Sequence, residues 1–313
     1  MLGKRVTVIG LLQAVTIVTI LFSVVTSFDS LHRIIELFSH FRLQYLGASL
    51  VLLVIFAALK NPGYAAPLLV TAAFNASFVL PWYVGGEPVA SDASLKLLHA
   101  NVLSDNDQYG QLLDLIEAEQ PDVIFLQEFS PAWRTATEEL NDSYPFSYTE
   151  AREGNFGIAM FSRLPLDSAT HIDSPPLNYP TIVATMTVNG QLLTLINTHP
   201  TNPVAQPLHE ARNEQLRSVA DIARQARGAV LLTGDFNTSV WNHNYQALED
   251  STGLRNTRRG FGVQPTWPTF MPFAMIPIDH ALASDEIGVV DTRTAPHIGS
   301  DHLPLILEFT VGT

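Results

Sequence analysis

Hydrophobic positions divide the chain into two regimes. As far as about Val84 they run almost unbroken; beyond Asp92 they recur in short blocks separated by turn residues. Three stretches stand out in the first regime. Val6–Thr26 is 21 residues without a charge, Tyr45–Leu59 is 15 residues that Leu43 and Gln44 lengthen, and Tyr64–Val84 is 21 residues containing Pro67, Asn75 and Pro81. A bilayer-spanning helix needs about 20 residues. The pattern therefore predicts a membrane region over residues 1–87, with spans at roughly 6–26, 43–59 and 64–84. Between the first two spans, Phe28, Leu31, Ile34, Ile35 and Phe38 fall at helical spacing, which predicts an amphipathic interfacial helix over Phe28–Phe41. A cleaved signal peptide fits the first stretch less well: the run exceeds the usual 7–15 residues, and Val24-Val25-Thr26 at its end is no small-x-small site.

The second regime alternates blocks of both periods. Strands are expected at Leu95–Ala100, Asp122–Gln127, Gly157–Ser162, Ala229–Thr233, Ile278–Ala283, Ile287–Asp291 and Leu305–Phe309. Ile182–Val188 and Gln191–Asn197 form a hairpin through Asn189-Gly190, the strongest short hairpin signal. Helices are expected at Tyr109–Glu119, from Pro131 to about Leu140, and at Leu208–Ala226. Strands linked both by hairpins and by helices imply an α/β domain with mixed sheets over residues 88–313. Gly85-Gly86-Glu87-Pro88 reads as the linker in front of it.

Charge sharpens the division. Only Asp29, Arg33, Glu36, Arg42 and Lys60 are charged between Val6 and Val84, whereas residues from Asp92 onward carry 12 Lys and Arg against 27 Asp and Glu, a difference of −15. Lys4, Arg5 and Lys60 favour a cytoplasmic N-terminus and Arg33 and Arg42 oppose it. With three spans the second domain then falls on the outer face, as in a bacterial inner-membrane protein. A domain this acidic has no general attraction for a nucleic-acid backbone, although a bound cation would invert its local field. The absence of cysteine excludes a disulfide framework, a zinc–thiolate site and a cysteine nucleophile. There is no P-loop and no G-x-S-x-G elbow.

What chemistry remains is carried by polar residues that each follow an apolar run: Asn101, Glu128, His199, Asp235, Asn237, Asp279, Asp301 and His302. Strand ends are where α/β scaffolds expose functional groups. Carboxylates are hard ligands for Mg²⁺, histidines move protons, and the combination points to hydrolysis of a phosphoester by activated water. His99, His171, His209, His243 and His297 lack such a setting and read as structural or exposed. His280 faces the opposite side of its strand from Asp279. Arg255, Arg258 and Arg259 form the one basic cluster, either a solvated turn or a contact to an anionic headgroup.

The order Asn101-Val102, Gln127-Glu128, Asn197-Thr198-His199, Gly234-Asp235-Phe236-Asn237, Ile278-Asp279-His280 and Gly299-Ser300-Asp301-His302-Leu303-Pro304 resembles the endonuclease/exonuclease/phosphatase (DNase I-like) family over residues 95–310. The resemblance implies a four-layer α/β sandwich of two mixed sheets behind the membrane region. It implies Mg²⁺ (or Mn²⁺) held mainly by Glu128 with Asn101 and Asp301. It further implies that Asp235 orients the attacking water or binds metal in some states, that Asn237 and Asn101 contact the substrate phosphate, that His199 contacts a phosphate oxygen or protonates the leaving group, and that Asp279 pairs with His302; either Asp235 or His302 serves as the base, or the two share the task. The expected partners are the lipid bilayer and a phosphorylated substrate such as a polyprenyl pyrophosphate or phospholipid, with DNA and a tethered nuclease as the alternative. A non-catalytic scaffold is the minor third reading; no protein partner is inferable.

Overall fold

The computed structural model describes residues 7–85 and 94–312. Lys4, Arg5 and residues 86–88 of the expected linker lie outside them. The described chain separates into two compact units, one reaching Pro81 and including Trp241–His243, the other formed by Trp82–Val240 and the residues from Asn244 on.

The first unit contains α1 (Val8–Val25), a 3-10 turn (Thr26–Leu31), α2 (Arg33–Ser39), α3 (Arg42–Ala58) and α4 (Pro62–Val79). Val8–Leu31 and Pro62–Trp82 are long and apolar enough to cross a membrane; α2 and α3, bent by 64°, make a third span only if taken together. The single interfacial helix expected over Phe28–Phe41 is interrupted. His32 is extended (φ −162°, ψ 137°), and its Nδ1 accepts the Ile34 N–H, so a side-chain cap starts α2 where the periodicity alone would have continued one helix. Around α1 polarity is reversed relative to a water-soluble bundle, while Leu52, Phe56 and Leu68 form a small apolar cluster between α3 and α4. The buried residues of α1 are Thr16, Thr19 and Ser23, whereas Val8, Ile9, Leu11 and Ile17 are more than half exposed. Asn75 of α4 donates to Ser23 Oγ (2.9 Å), and the buried Arg42 guanidinium donates to Ser23 O (2.7 Å) and Ser27 Oγ (2.9 Å).

The second unit is built on two six-stranded sheets. The first, in spatial order β11-β12-β1-β2-β4-β3, comprises β1 (Leu95–Asn101), β2 (Val123–Gln127), β3 (Phe146–Glu150), β4 (Ile158–Ser162), β11 (Ile287–Thr294) and β12 (Leu305–Val311). The second, ordered β5-β6-β7-β8-β10-β9, comprises β5 (Ser168–Ser174), β6 (Tyr179–Val188), β7 (Gln191–Thr198), β8 (Ala229–Asp235), β9 (Arg255–Asn256) and β10 (Asp279–Ala283). Each sheet has one parallel pair, β1/β2 and β7/β8, joined by α5 (Tyr109–Glu119) and α8 (Gln206–Gln225) respectively, so each is mixed as expected.

Strand alternation sets the layers. Leu97, Val123, Phe125 and Met160 of the first sheet meet Ile182, Met186, Leu195 and Leu231 of the second in a buried inner core. The intervening residues Leu98, Ala100, Ile124 and Leu126 face outward and pack with Leu112, Ile116 and Trp133. Both faces are buried, which is why these strands read as unbroken apolar runs. The helix expected from Pro131 to Leu140 is instead two short pieces, α6 (Pro131–Ala136) and α7 (Leu140–Ser143). Thr137 Oγ1 turns back onto Trp133 O (2.8 Å) at the break. The last helix, α9 (His243–Thr252), and the edge strands β3 and β5 were not anticipated.

One close approach fixes the spacing of β7 and β8. A Cβ at Gly234 would lie 2.0 Å from Thr198 O. Gly234→Ala is therefore expected to destabilise by about 3 kcal/mol, read as a drop in Tm of roughly 6–12 °C for a domain of this size. An unchanged melting curve would refute that account.

Candidate active site

The site is assembled where the strand ends of the two sheets meet. Asn101 closes β1, Glu128 follows β2, His199 follows β7, Asp235 closes β8, Asp279 opens the antiparallel β10, and Asp301 and His302 lie in the β11–β12 connection. The structure brings these residues into one hydrogen-bonded network. Glu128 (φ 58°) and Asn237 (φ 50°) both adopt the left-handed region, which for a glutamate costs roughly 1–2 kcal/mol. Glu128 is held there by its neighbours: Phe129 N–H donates to Gly157 O (2.9 Å), and Glu128 Oε2 accepts the Ser104 N–H (3.1 Å).

Asp235 is the hub. Its Oδ1 accepts the Asn237 N–H (2.8 Å). Its Oδ2 faces three groups: Asn101 Nδ2 at 3.3 Å, His199 Nε2 at 3.4 Å and His302 Nε2 at 3.6 Å. Asn101 Nδ2 also donates to Glu128 Oε1 (3.1 Å), while its Oδ1 accepts the Leu103 N–H. Asn237 Nδ2 donates to Pro200 O (2.9 Å) and lies 3.4 Å from His199 Nε2. On the far side His302 Nδ1 pairs with Asp279 Oδ2 at 2.8 Å.

Burial opposes charge on both histidines, but the carboxylates prevail. The Asp279 and Asp235 charges push His302 up to about 10, and the hydrogen bond and charge of Asp235, with Glu128 behind it, raise His199. Burial likewise works against the Asp279 carboxylate, yet His302 and His99 hold it well below the usual range.

His99 is the correction to the sequence reading. It is buried on the inner face of β1, and its Nε2 lies 3.3 Å from Asp279 Oδ1, so Asp279 has an imidazole on each oxygen. The signal was available: Leu97, His99 and Asn101 share one strand face, and a histidine among inward residues two positions before a site residue needs a polar partner. Gln127 and Asn197, which belong to the motif but carried no assigned role, orient His99. Asp235 N–H can only donate, so Gln127 Oε1 accepts from it (2.9 Å) and Gln127 Nε2 faces Asn197 Oδ1 (3.2 Å) and Thr198 O (2.5 Å). Asn197 Nδ2 is thereby directed at Thr233 Oγ1 (3.1 Å) and His99 Nδ1 (3.5 Å). His99 Nδ1 then accepts, and Nε2 carries the proton given to Asp279.

Other expectations resolve as follows. His280 is turned away from the site and bonds Thr238 O through Nε2 (2.8 Å); Asn256 Nδ2 and Arg258 Nη1 lie beside its Nδ1, and burial with the Arg258 charge holds it well below the ordinary range. Arg258 is neither a solvated turn residue nor free to meet a headgroup. It is fully buried, and its guanidinium donates to Asp279 O, supporting the strand that carries the dyad. Trp267 is partly buried, and its Nε1 donates to Asp301 Oδ2 (2.9 Å).

The donor set fits a hard divalent cation. Asp301 Oδ1 is buried with no hydrogen-bond partner while its other oxygen is tied to Trp267, and Glu128, whose oxygens accept from Asn101 Nδ2 and the Ser104 N–H, adds a second carboxylate to the strand-end set. Ser300 Oγ donates to Asn101 O (2.7 Å), tying the Asp301 segment to the end of β1. Asp235, Asp279 and His302 also bring one ligand atom each within 4.8 Å of one another. That cluster is accounted for by the shared proton of the Asp279–His302 pair, and the oxygen-only group suits Mg²⁺ or Mn²⁺ better. Asn101 could join that group only by turning its amide oxygen away from Leu103.

A two-sheet α/β sandwich with carboxylates, amides and paired histidines at the sheet junction defines a class of phosphoester hydrolases. The chain belongs to the Endonuclease/Exonuclease/phosphatase family, whose model matches residues 97–302, more than half of the chain. The fold is shared with solved structures of low identity. Danio rerio (D. rerio) TDP2 in complex with a single-strand DNA product is 20% identical, covering 70% of this chain and 100% of that chain with a TM-score of 0.59. The 3' phosphatase NExo from Neisseria, bound to a product DNA hairpin, is 22% identical over 69% of this chain and 99% of that chain, also with a TM-score of 0.59. The human Nocturnin catalytic domain, with a bound sulfate anion, is 18% identical over 71% and 96%, with a TM-score of 0.58. No curated protein matches the chain by sequence.

Proposed function

We propose that this protein is a divalent-metal-dependent hydrolase of a membrane-associated phosphoester, a lipid-linked phosphate or pyrophosphate, held at the bilayer by its first 85 or so residues. The observation that carries this reading is the reversed polarity around α1, apolar outside and Thr16, Thr19, Ser23, Arg42 and Asn75 inside, which is the arrangement a lipid solvent selects. The catalytic unit adds a second argument. Most of its cations are already engaged: Lys96, Arg152, Arg217, Arg224, Arg255, Arg259 and Arg293 are in ion pairs, and Arg212 and Arg258 are buried, which leaves Arg134, Arg163 and Arg227 against a net charge of −15.

Glu128 and Asp301, with Asn101 after rotation of its amide, would hold Mg²⁺ or Mn²⁺. When bound, such a cation neutralises phosphoryl oxygens and acidifies water. His302, kept protonated by Asp279, donates from Nε2 toward the reacting centre, and His199 does the same from the opposite side. This leaves Asp235, the acceptor on which both imidazoles and Asn101 converge, to orient the attacking water and take its proton. Asn237, whose Nδ2 donates one hydrogen to Pro200 O, offers the other to a phosphoryl oxygen.

The test uses the full chain in phospholipid nanodiscs, offered a polyprenyl pyrophosphate and duplex DNA in parallel, with Mg²⁺ or with chelator. Phosphate release from the lipid that chelator abolishes, and that His302→Ala lowers by about 10²–10⁴-fold, is expected. Strand cleavage without release from the lipid would replace this reading with the tethered nuclease suggested by the DNA complexes of D. rerio TDP2 and the Neisseria phosphatase.

A further inference from the structure

The catalytic unit is acidic as a whole, but the 15 residues from Gln264 to Ile278 carry no charge. The tip of this stretch presents large apolar side chains to the surface, with Phe270 70%, Met271 38% and Phe273 80% exposed. Single exposed hydrophobics are ordinary, but three within four residues form a patch that a water-soluble surface does not favour.

The exposure is built into the loop. Trp267 and Ile276 close its base as a two-residue β-bridge, with Ile276 N–H donating to Trp267 O (2.6 Å) and Trp267 N–H to Ile276 O (3.2 Å). Met271 N–H donates to Pro268 O (3.2 Å) and Ala274 N–H to Met271 O (2.8 Å), forming tight turns at the tip. Nothing in these bonds requires an apolar side chain at 270 or 273; serine or asparagine would serve the turns as well. The same loop is fastened to the candidate site: Thr269 N–H donates to Asp301 O (2.9 Å), Thr269 Oγ1 to Ser300 O (3.0 Å) and Trp267 Nε1 to Asp301 Oδ2.

We infer that the Trp267–Ile276 loop is a membrane-contact element that seats Phe270, Met271 and Phe273 in the lipid interface and so holds the Asp301–His302 edge of the site at headgroup level. The inference rests on the membrane reading proposed above. Three features select the bilayer as occupant. The chain carries apolar helices of its own that put a bilayer within reach. The catalytic unit as a whole is strongly acidic and is repelled by anionic headgroups, so an uncharged apolar projection is suited to approach them. Aromatic and aliphatic side chains at the tip of an uncharged loop are what an interface accepts.

The chain has no cysteine, so a single introduced thiol reports on one position. Phe273→Cys, Phe270→Cys and, as a control, the exposed Glu139→Cys would each be labelled with an environment-sensitive fluorophore in the full chain reconstituted into phosphatidylcholine–phosphatidylglycerol vesicles. Blue-shifted emission at 273 and 270, with quenching by nitroxide-bearing lipids at least about threefold stronger than at 139, is expected. Emission and quenching equal to those of the control at both positions would overturn the inference. So would quenching that develops only when a long-chain phosphate substrate is added, since the occupant would then be the substrate's own chain. Phosphate release measured on the same vesicles separates this inference from the substrate assignment. Quenching without release retains the contact and removes the lipid-phosphate reading; release without quenching does the reverse.

Discussion

Asp279→Asn is expected to lower kcat by about 10⁴-fold while leaving the fold intact, because the amide cannot satisfy both imidazoles that flank it. In the wild type, Oδ2 accepts from His302 Nδ1 (2.8 Å) and Oδ1 from His99 Nε2 (3.3 Å). An asparagine has one acceptor. If its oxygen faces His302, its NH₂ meets the His99 Nε2–H. His99 can escape only by moving its proton to Nδ1, where Asn197 Nδ2 already points. Asn197 cannot turn, because Gln127 fixes it, and Gln127 cannot turn, because the Asp235 N–H fixes Gln127. If instead the NH₂ faces His302, that ring must place its proton on Nε2 alone and is no longer held as a cation. Removing His99 relieves the conflict, so the double variant His99→Ala/Asp279→Asn is expected to recover part of the loss, about tenfold or more over Asp279→Asn alone, in a double-mutant cycle. Strict additivity of the two variants would show that His99 does not act through Asp279.

Asp235→Asn has the second large expected effect, a fall in kcat of about 10³–10⁴-fold with little change in KM. Oδ1 must keep accepting the Asn237 N–H, so the new NH₂ would face Asn101 Nδ2, His199 Nε2 and His302 Nε2, three groups that donate to the carboxylate. His199 loses the carboxylate that chiefly raises it, and His302 loses the second of the two that raise it, after Asp279. Their titrations, followed by NMR, are therefore expected to move down together. Retained activity in Asp235→Asn would overturn its role as the base, and both histidines titrating as before would overturn its hold on the imidazoles.

Much of this was legible in the chain itself. Strand-terminal polar residues at 101, 128, 199, 235, 279 and 301–302 were visible because each interrupts an apolar run. The hairpin turn at Asn189-Gly190 and the helix at Tyr109–Glu119 appear where their signals place them. The misses have physical causes. Strand β5, Ser168–Ser174, lies at a sheet edge, so only one of its seven residues is buried and its composition is polar. Arg258 looked like a solvated cation because neither spacing nor neighbours reveal that a guanidinium is bonded to a strand carbonyl in the interior. The role of His99 depends on which oxygen of a carboxylate from the other sheet lies beside it, information that local sequence does not hold.

The pairs that make up the site share a property that extends beyond catalysis. Asn101 and Asp235, His302 and Asp279, His99 and Asp279, and Gln127 and Asn197 each take one member from the first sheet or its β11–β12 connection and the other from the second. Each sheet alone keeps contacts of its own, Asn101 with Glu128 in the first and Asp235 with His199 in the second, but the Asp279–His302 pair and the Asn101–Asp235 contact form only between them. A chain still emerging from synthesis, or one whose sheets have slipped apart, thus carries the residues of a hydrolase without the ability to act as one. Competence arrives at the moment the two halves dock, which gives a potentially destructive activity a built-in safeguard against premature use.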